Sequence, residues 1–344
     1  MPDPLPRPRG PVSEAVVAAL RTGSLPALAG TPTAADDPLT GEDTHLALHC
    51  CYGLFHDGFA GVDDRWEWEP ALLRLRRRLE GRFLSALRAE HGRGAGPGGG
   101  GIAGALGEVI RSGPGTPSPS RHLAEQGTID ELREMLVHRS VYQRKEADAH
   151  AFAIPRLRGA AKSAMVTIQA DEYGQGRPGR SHAELFAVTM ARLGLDPTPG
   201  AYVDAVPGVT LATDNLASMF GLHRALRGAL VGHLAAFEMT SVVPMGRYAA
   251  AIRRLAGDDV AAEFYDVHVA ADAEHEVIAA TDLAGGFVAD EPALAGDVVF
   301  GAGALMRVEA RLATHVMSSW EAGRTSLRTP RGSAPAPAGE RLGA

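Results

Sequence analysis

The sequence contains little cysteine, and this scarcity excludes several kinds of protein. The 344 residues include two cysteines, Cys50 and Cys51, which are adjacent in the chain. Neighbouring cysteines do not form an ordinary unstrained disulfide, so the sequence provides no disulfide framework. Two cysteines also cannot supply an iron–sulfur cluster or a cysteine-type zinc site from this chain alone.

Long apolar runs and an excess of positive charge are lacking as well. No apolar run approaches the roughly 20 residues that a membrane-spanning helix needs. The N-terminal residues are rich in Pro and Arg and lack the apolar segment of a signal peptide. A net charge of −7 and a pI near 6.0 argue against nucleic acid or an anionic membrane as a partner. We therefore expect a cytoplasmic protein that binds neither nucleic acid nor membranes.

Apolar residues recur at helical spacing through most of the chain, without a strand pattern or an internal repeat. Two helices are predicted within residues 43–91, and a capping box of Thr128 and Glu131 begins another that runs towards Pro155. Further helices are predicted over residues 156–173, 181–195, 209–242, 245–256, 259–283 and 290–322. These patterns predict an all-α fold whose helices pack as a bundle.

Composition divides the chain into four parts. Residues 1–14 and 324–344 are poor in helical pattern and rich in Pro, and we predict that they are disordered. Residues 15–125 are predicted to form an N-terminal helical region with Gly-rich loops. Residues 126–323 are predicted to form the main helical domain.

The sharpest candidate for chemistry is the pattern His268-x3-Asp272-x2-His275. Because successive residues of a helix are about 100° apart, positions i, i+4 and i+7 lie within about 60° of one another. Two imidazoles and one carboxylate therefore share a helix face, and this ligand mixture suits iron, manganese or zinc. Taken alone, the triplet is explained equally well by a solvated polar face.

Three other places add carboxylates and one more histidine. Glu238 lies in a strongly apolar stretch, where a lone buried carboxylate is costly unless a cation or a donor meets it. Glu172 and His182 flank a Gly- and Pro-rich break that lets two helix ends converge, and Glu146 lies in a charged helix. Each of these alone is more often a surface or loop residue. Together with the triplet they resemble the ligands of a carboxylate-bridged pair of irons, although the two Glu-x-x-His motifs of ferritin-like proteins are lacking.

These residues resemble the motifs of the haem-oxygenase-like di-iron oxidases, which are also called iron-containing redox enzymes. The resemblance covers about residues 130–322, and residues 42–91 resemble the extra N-terminal helical region of longer members. It implies a haem-oxygenase-like helical bundle, with residues 126–323 as its di-iron domain. It also implies seven metal ligands, namely Glu146, Glu172, His182, Glu238, His268, Asp272 and His275.

The resemblance further implies a type of chemistry. Two ferrous ions would bind and react with dioxygen, the co-substrate, to give a peroxo-bridged diferric species. The expected substrate is a small amino-acid-like molecule of natural-product biosynthesis, and the expected partners are an external electron donor and a second copy of the chain. We expect C–H chemistry, either desaturation or ring closure such as azetidine formation, because the C-terminal cupin of the nitrosating N-oxygenases is lacking. Hydroxylation of an amine nitrogen is the alternative.

Four more residues are expected close to the metal ligands but not on the metal. Gln169 and His150 each lie one helical turn from an expected ligand, and Tyr173 and Tyr265 are expected to face the pocket. An acidic substrate would also need an arginine clamp, which the sequence alone does not identify. Residues with expected packing or surface roles are His45, His49, His56, His223 and His233.

Two other classes of function stay open at this point. A haem-binding protein would need a proximal histidine, but it gives no reason for Glu172, Glu238 and Asp272 to accompany three histidines. For a metal-free helical protein, replacing His268 and His275 by alanine would not lower the iron stoichiometry.

Overall fold

The apolar-periodic stretches fold into helices, and no strand occurs in the part of the chain that the structure describes. The structure is a computed structural model that describes residues 4–24, 35–91, 101–113 and 115–328. The all-α prediction is therefore confirmed. The α-helices are α1 Pro11–Thr22, α2 Glu42–Gly53, α3 Pro70–His91, α4 Gly101–Arg111, α5 Pro119–Glu125, α6 Ile129–Gln143, α7 Glu146–Ala151, α8 Gly159–Glu172, α9 His182–Arg192, α10 Gly208–Leu222, α11 Arg227–Ala256, α12 Asp259–Val277, α13 Gly286–Asp290 and α14 Ala295–Glu321. A π-helical segment, Ile278–Gly285, joins α12 to α13.

The long helix α11 lies at the centre of the bundle and packs against both α12 and α14. Glycines let α11 and α14 touch backbone to backbone. A Cβ atom at Gly232 would lie 2.6 Å from the carbonyl carbon of Val298, and one at Gly301 would lie 2.6 Å from that of Ala229. Carbon atoms that are not bonded do not approach so closely, so only glycine fits at this crossing.

Helix α11 is also long and apolar enough, by length and composition, to cross a membrane. Inside the protein, 67% of its most apolar window is buried. Such burial is expected of the central helix of a bundle, because a helix that is apolar all round has to be covered by its neighbours.

The predicted N-terminal helical region shares its core with the rest of the protein. Both helices predicted within residues 43–91 are present, as α2 and α3. Leu46 of α2 and Phe83 of α3 belong to the same hydrophobic cluster as Leu216 of α10 and Val298 of α14. The predicted boundary after residue 125 therefore does not separate two hydrophobic cores.

The predicted disorder of residues 1–14 is wrong for the described part of this segment. Helix α1 begins at Pro11, and Val12 is fully buried. The backbone N–H groups of Val12 and Ser13 donate to the carboxylate of Asp43 at 2.9 and 2.7 Å. A high proline content favours disorder in general, but proline at the first position of a helix is favourable. Residues 1–3 lie outside the described residues.

The predicted disorder of residues 324–344 is likewise wrong for residues 324–328. Ser326 is buried, its hydroxyl donates to Glu134 at 2.6 Å, and it lies 2.9 Å from Nε2 of His138. These long-range contacts fix the chain after α14. Residues 329–344 and the Gly-rich stretch 92–100 lie outside the described residues.

Two helix boundaries differ from those predicted. The helix that starts at the confirmed capping box of Thr128 stops at Gln143, because Lys145 leaves the helical conformation and its Nζ lies 3.1 Å from Asp214. Conversely, Pro244 lies inside α11, so the predicted break before residue 245 is absent. A proline inside a helix costs about 3 kcal/mol. The packing of α11 against α12 and α14 offsets that cost.

Candidate metal centre

The seven predicted ligands come from five helices that meet in the interior. Glu146 is the first residue of α7, Glu172 the last of α8, His182 the first of α9, and Glu238 lies in the middle of α11. The other three share one face of α12, as their spacing predicts. All seven side chains are buried, with exposures between 1% and 7%.

A first group of ligand atoms is formed by Glu172, His182 and His268, whose donor atoms lie within 4.8 Å of one another. Nδ1 of His182 donates to Glu172 at 2.9 Å, and the His182 and His268 rings lie 4.0 Å apart. Nδ1 of His268 donates to the carbonyl of Phe264 at 2.9 Å, so its Nε2 faces the group. That Nε2 lies 3.6 Å from a carboxylate oxygen of Glu146.

A second group is formed by Glu172, Glu238 and His275, again with donor atoms within 4.8 Å of one another. Nδ1 of His275 lies 3.5 Å from Glu238 and 3.8 Å from Asp272. Glu172 therefore belongs to both groups. A carboxylate has two oxygens, so this single side chain can contact two cations at once.

The donor set fits a metal ion, because several buried polar atoms have no protein partner. Both carboxylate oxygens of Glu146, Oδ2 of Asp272, Nε2 of His268 and Nδ1 of His275 lack a hydrogen-bond partner among the described residues. Buried polar atoms without partners are rare in folded proteins, and each calls for an explanation. Carboxylates and imidazoles together are ligands for iron, manganese or zinc.

Burial and the close approach of carboxylates and imidazoles shift the pKa values within the cluster. Burial, together with nearby Asp272 and Glu172, raises the pKa of Glu238 to about 8. Burial would lower the pKa of His268, but Glu146 outweighs it and raises that pKa to about 10. Burial also acts to raise the pKa of Glu172, yet three imidazoles, that of His182 first, bring it below its ordinary value. The carboxylates and imidazoles of the cluster thus interact strongly with one another.

One residue at the centre is absent from the sequence prediction. Nε2 of His275 donates to Asp171 at 2.9 Å, which leaves Nδ1 facing Glu238 and Asp272. A carboxylate behind a metal-binding histidine fixes the orientation of the ring and raises its basicity. Asp171 directly precedes Glu172, but adjacent helical residues point about 100° apart, so no periodicity argument could find it.

The four residues expected near the ligands divide into two pairs. His150 and Gln169 line the same interior cavity as Glu146 and Glu172. The expectation for Tyr173 is wrong, because the residue is 42% exposed and its hydroxyl donates to Asp148 at the surface. Tyr265 is buried, but it packs against Phe264 and Tyr248 in a hydrophobic cluster and does not line the cavity.

The histidines expected to have packing roles lie apart from the two groups. His45 donates from Nε2 to the carbonyl of Pro38, and His223 pairs with Glu80 at 3.0 Å. His49 lies 3.4 Å from the buried carboxylate of Asp214. His56 contacts Ser218 and His233 contacts His150, so all five have protein partners other than the seven predicted ligands.

The interior cavity beside the ligands is small, with a volume of about 10 Å³. A hole of this size holds about one water molecule. No arginine or lysine lines it among the described residues, so the expected arginine clamp is not found there. An amino-acid-sized molecule requires this cavity to widen.

Comparison with known proteins assigns the helical domain to a protein family, independently of the geometry of the site. Residues 133–310 match a protein-family model described as iron-containing redox enzyme. The matched residues are just over half of the chain and include all seven residues of the candidate centre. A search of curated proteins found no match.

Proposed function

The chain belongs to the iron-containing redox enzyme family, and from that premise we propose that it is an oxidase that holds two ferrous ions and uses dioxygen. Membership of the family supports an oxidoreductase. The number of ions, the use of dioxygen and the substrate are parts of the proposal.

The main support for two ions is that Glu172 belongs to both groups of ligand atoms. It shares one group with His182 and His268 and another with Glu238 and His275. Two ions seated in these groups would be bridged by one carboxylate. Glu146 beside the first group and Asp272 beside the second would each add an oxygen ligand.

Charge balance supports the same number of ions. Four buried carboxylates, those of Glu146, Glu172, Glu238 and Asp272, carry four negative charges when ionised, and the ion pairs they form are with imidazoles. Burying uncompensated charge is strongly unfavourable. Two divalent cations would neutralise these four carboxylates while the three imidazoles remain neutral and free to bind metal.

When bound, the iron would supply the redox chemistry with dioxygen, and the protein would hold the ions in a water-poor interior. The substrate that we propose is a small amino-acid-like molecule of natural-product metabolism, oxidised at C–H bonds by desaturation or ring closure such as azetidine formation. N-hydroxylation of an amine is the alternative. An external electron donor, a homodimer and a cytoplasmic location belong to the same proposal, and all of these rest on the resemblance noted in the sequence.

Anaerobic titration with ferrous iron tests the metal proposal. We expect two irons per wild-type chain and fewer than one in Glu172→Gln, because that substitution weakens both groups. Glu263→Gln is the matched control, since Glu263 is on α12 but pairs with Arg180 away from the ligands at 2.7 Å. A wild-type stoichiometry of one iron or none, or a haem absorption band after reconstitution, contradicts the proposal.

The chemistry is tested by exposing the iron-loaded protein to oxygen with aliphatic amino acids and reading the product masses. Loss of two hydrogens identifies desaturation or ring closure. Gain of one oxygen indicates hydroxylation, which includes the alternative N-hydroxylation, and contradicts the preferred reaction.

A further inference from the structure

Two neutral polar side chains face the interior cavity together with the proposed ligands. Tyr142, 5% exposed, and Gln169, 3% exposed, line it beside Glu146 and Glu172. The Tyr142 hydroxyl and both polar amide atoms of Gln169 have no hydrogen-bond partner among the described residues. A buried polar group without a partner destabilises a fold, so these groups indicate a ligand that the cavity accepts.

Helix positions explain why both side chains line the cavity. Tyr142 lies in the last turn of α6, directly before the break that ends at Glu146. Gln169 lies three residues before Glu172 in α8, and residues so spaced share a helix face. Each neutral group therefore accompanies one of the proposed ligands into the cavity. The ring of Phe237, 5.4 Å from that of Tyr142, forms an apolar wall.

Neither side chain is of a type that competes for the metal. A neutral phenol and a carboxamide are weaker ligands than the surrounding carboxylates and imidazoles. They are good hydrogen-bonding groups, since the hydroxyl donates and the amide both donates and accepts. Burial raises the pKa of Tyr142 well above its ordinary value, so the hydroxyl keeps its proton.

We propose that Tyr142 and Gln169 form a hydrogen-bonding subsite for a water-sized ligand that accepts hydrogen bonds and is bound at the metal centre. The cavity is small, about 10 Å³, which favours a ligand of very few atoms over an amino-acid-sized one. The subsite holds the ligand through neutral donors, so it adds no charge to the four carboxylates. This inference rests on the proposed function, because the ligand would bind the metal as well as Tyr142 and Gln169.

Fluoride is a suitable probe, because it is a small anion that accepts hydrogen bonds and binds ferric iron. We would load the wild type, Tyr142→Phe and Gln169→Leu with iron, oxidise them, and follow fluoride binding through the change in the iron absorption spectrum. Each substitution removes hydrogen bonds to a charged ligand, which predicts roughly tenfold weaker fluoride binding. Iron stoichiometry stays at the wild-type value in both variants.

Tyr52→Phe is the matched control, since the Tyr52 hydroxyl is also buried but donates to Glu80 at 3.1 Å, away from the cavity. We expect wild-type fluoride affinity in this variant.

The outcomes separate this inference from the proposed function. Unchanged fluoride affinity in iron-loaded Tyr142→Phe and Gln169→Leu overturns the subsite and leaves the metal proposal intact. Absence of iron from the wild type overturns both proposals together.

Discussion

Replacing Gly232 by alanine should separate α11 from α14 and weaken both the fold and the metal centre. The added Cβ would lie 2.6 Å from the carbonyl carbon of Val298 and closer still to the carbonyl oxygen. Ordinary contacts between carbon atoms lie at about 3.5–4.0 Å. The two backbones must therefore move apart by roughly 1 Å, because no side-chain rotation relieves a clash with backbone.

The expected cost follows from this overlap. Overpacking usually costs about 1–3 kcal/mol, and a clash with backbone belongs at the upper end of that range. Glu238 lies six residues after Gly232, which is about 9 Å along the helix axis. Because metal–ligand distances tolerate only about 0.2 Å, a shift of α11 should also lower the affinity for iron.

Gly246 provides the control in the same helix. A Cβ at Gly246 would meet only Cγ2 of Val269, at an ordinary 3.8 Å. Gly246→Ala should therefore stabilise the protein by about 0.5–1 kcal/mol through helix propensity. Urea unfolding of the metal-free variants gives the free energies, and ferrous iron titration gives the affinities. If Gly232→Ala is as stable as Gly246→Ala, the close contact between α11 and α14 does not determine the stability of the fold or the position of the ligands on α11.

Three further predictions concern other contacts. Asp171→Asn should lower the affinity for ferrous iron by about 10- to 100-fold in an anaerobic titration, since it removes the negative charge that contacts His275. An unchanged affinity would show that Asp171 does not position the imidazole ring. Burial lowers the pKa of His45 to about 4 and that of His138 to about 3. Below about pH 6.5 these two histidines therefore bind protons in the unfolded chain but remain neutral in the folded chain. Urea melts should therefore show stability falling from pH 6.5 towards pH 4, by up to about 1.4 kcal/mol per pH unit for each histidine, and a flat profile would contradict this. Thr128→Ala should cost about 1 kcal/mol in the same assay, because the Thr128 hydroxyl accepts from the N–H of Glu131 at 3.2 Å, and a neutral result would mean that this cap adds nothing.

Much of the fold followed from local patterns in the sequence. The helical periodicity predicted the all-α class, and the capping box at Thr128 marked the start of a helix. The spacing of His268, Asp272 and His275 predicted a shared helix face, and all three side chains are buried together. Glu238 was singled out as an acid in an apolar stretch, and it is 4% exposed. These features depend on one helix at a time, so one-dimensional patterns suffice for them.

The features that were not predicted depend on contacts between helices. The helix break before Glu146 contains no glycine or proline that could reveal it in the sequence. At this break Lys145 leaves the helical conformation and pairs with Asp214, a residue far away in sequence. The sequence pattern predicts separate helices on either side of Pro244, yet α11 continues through this proline and packs against α12 and α14. Local propensity is a weak preference that packing overrides in both directions.

Asp171 and Glu172 show most clearly why the complete site requires the structure. Consecutive residues at the end of α8 point about 100° apart, so a face assignment gives at most one of them to the centre. The end of α8 lies between two histidines, and Glu172 reaches His182 while Asp171 reaches the far nitrogen of His275. One helix end thus supplies both the carboxylate shared by the two groups of ligand atoms and the carboxylate that orients a ring. A single shift of this helix end would move both carboxylates, so we expect it to affect both proposed ion positions.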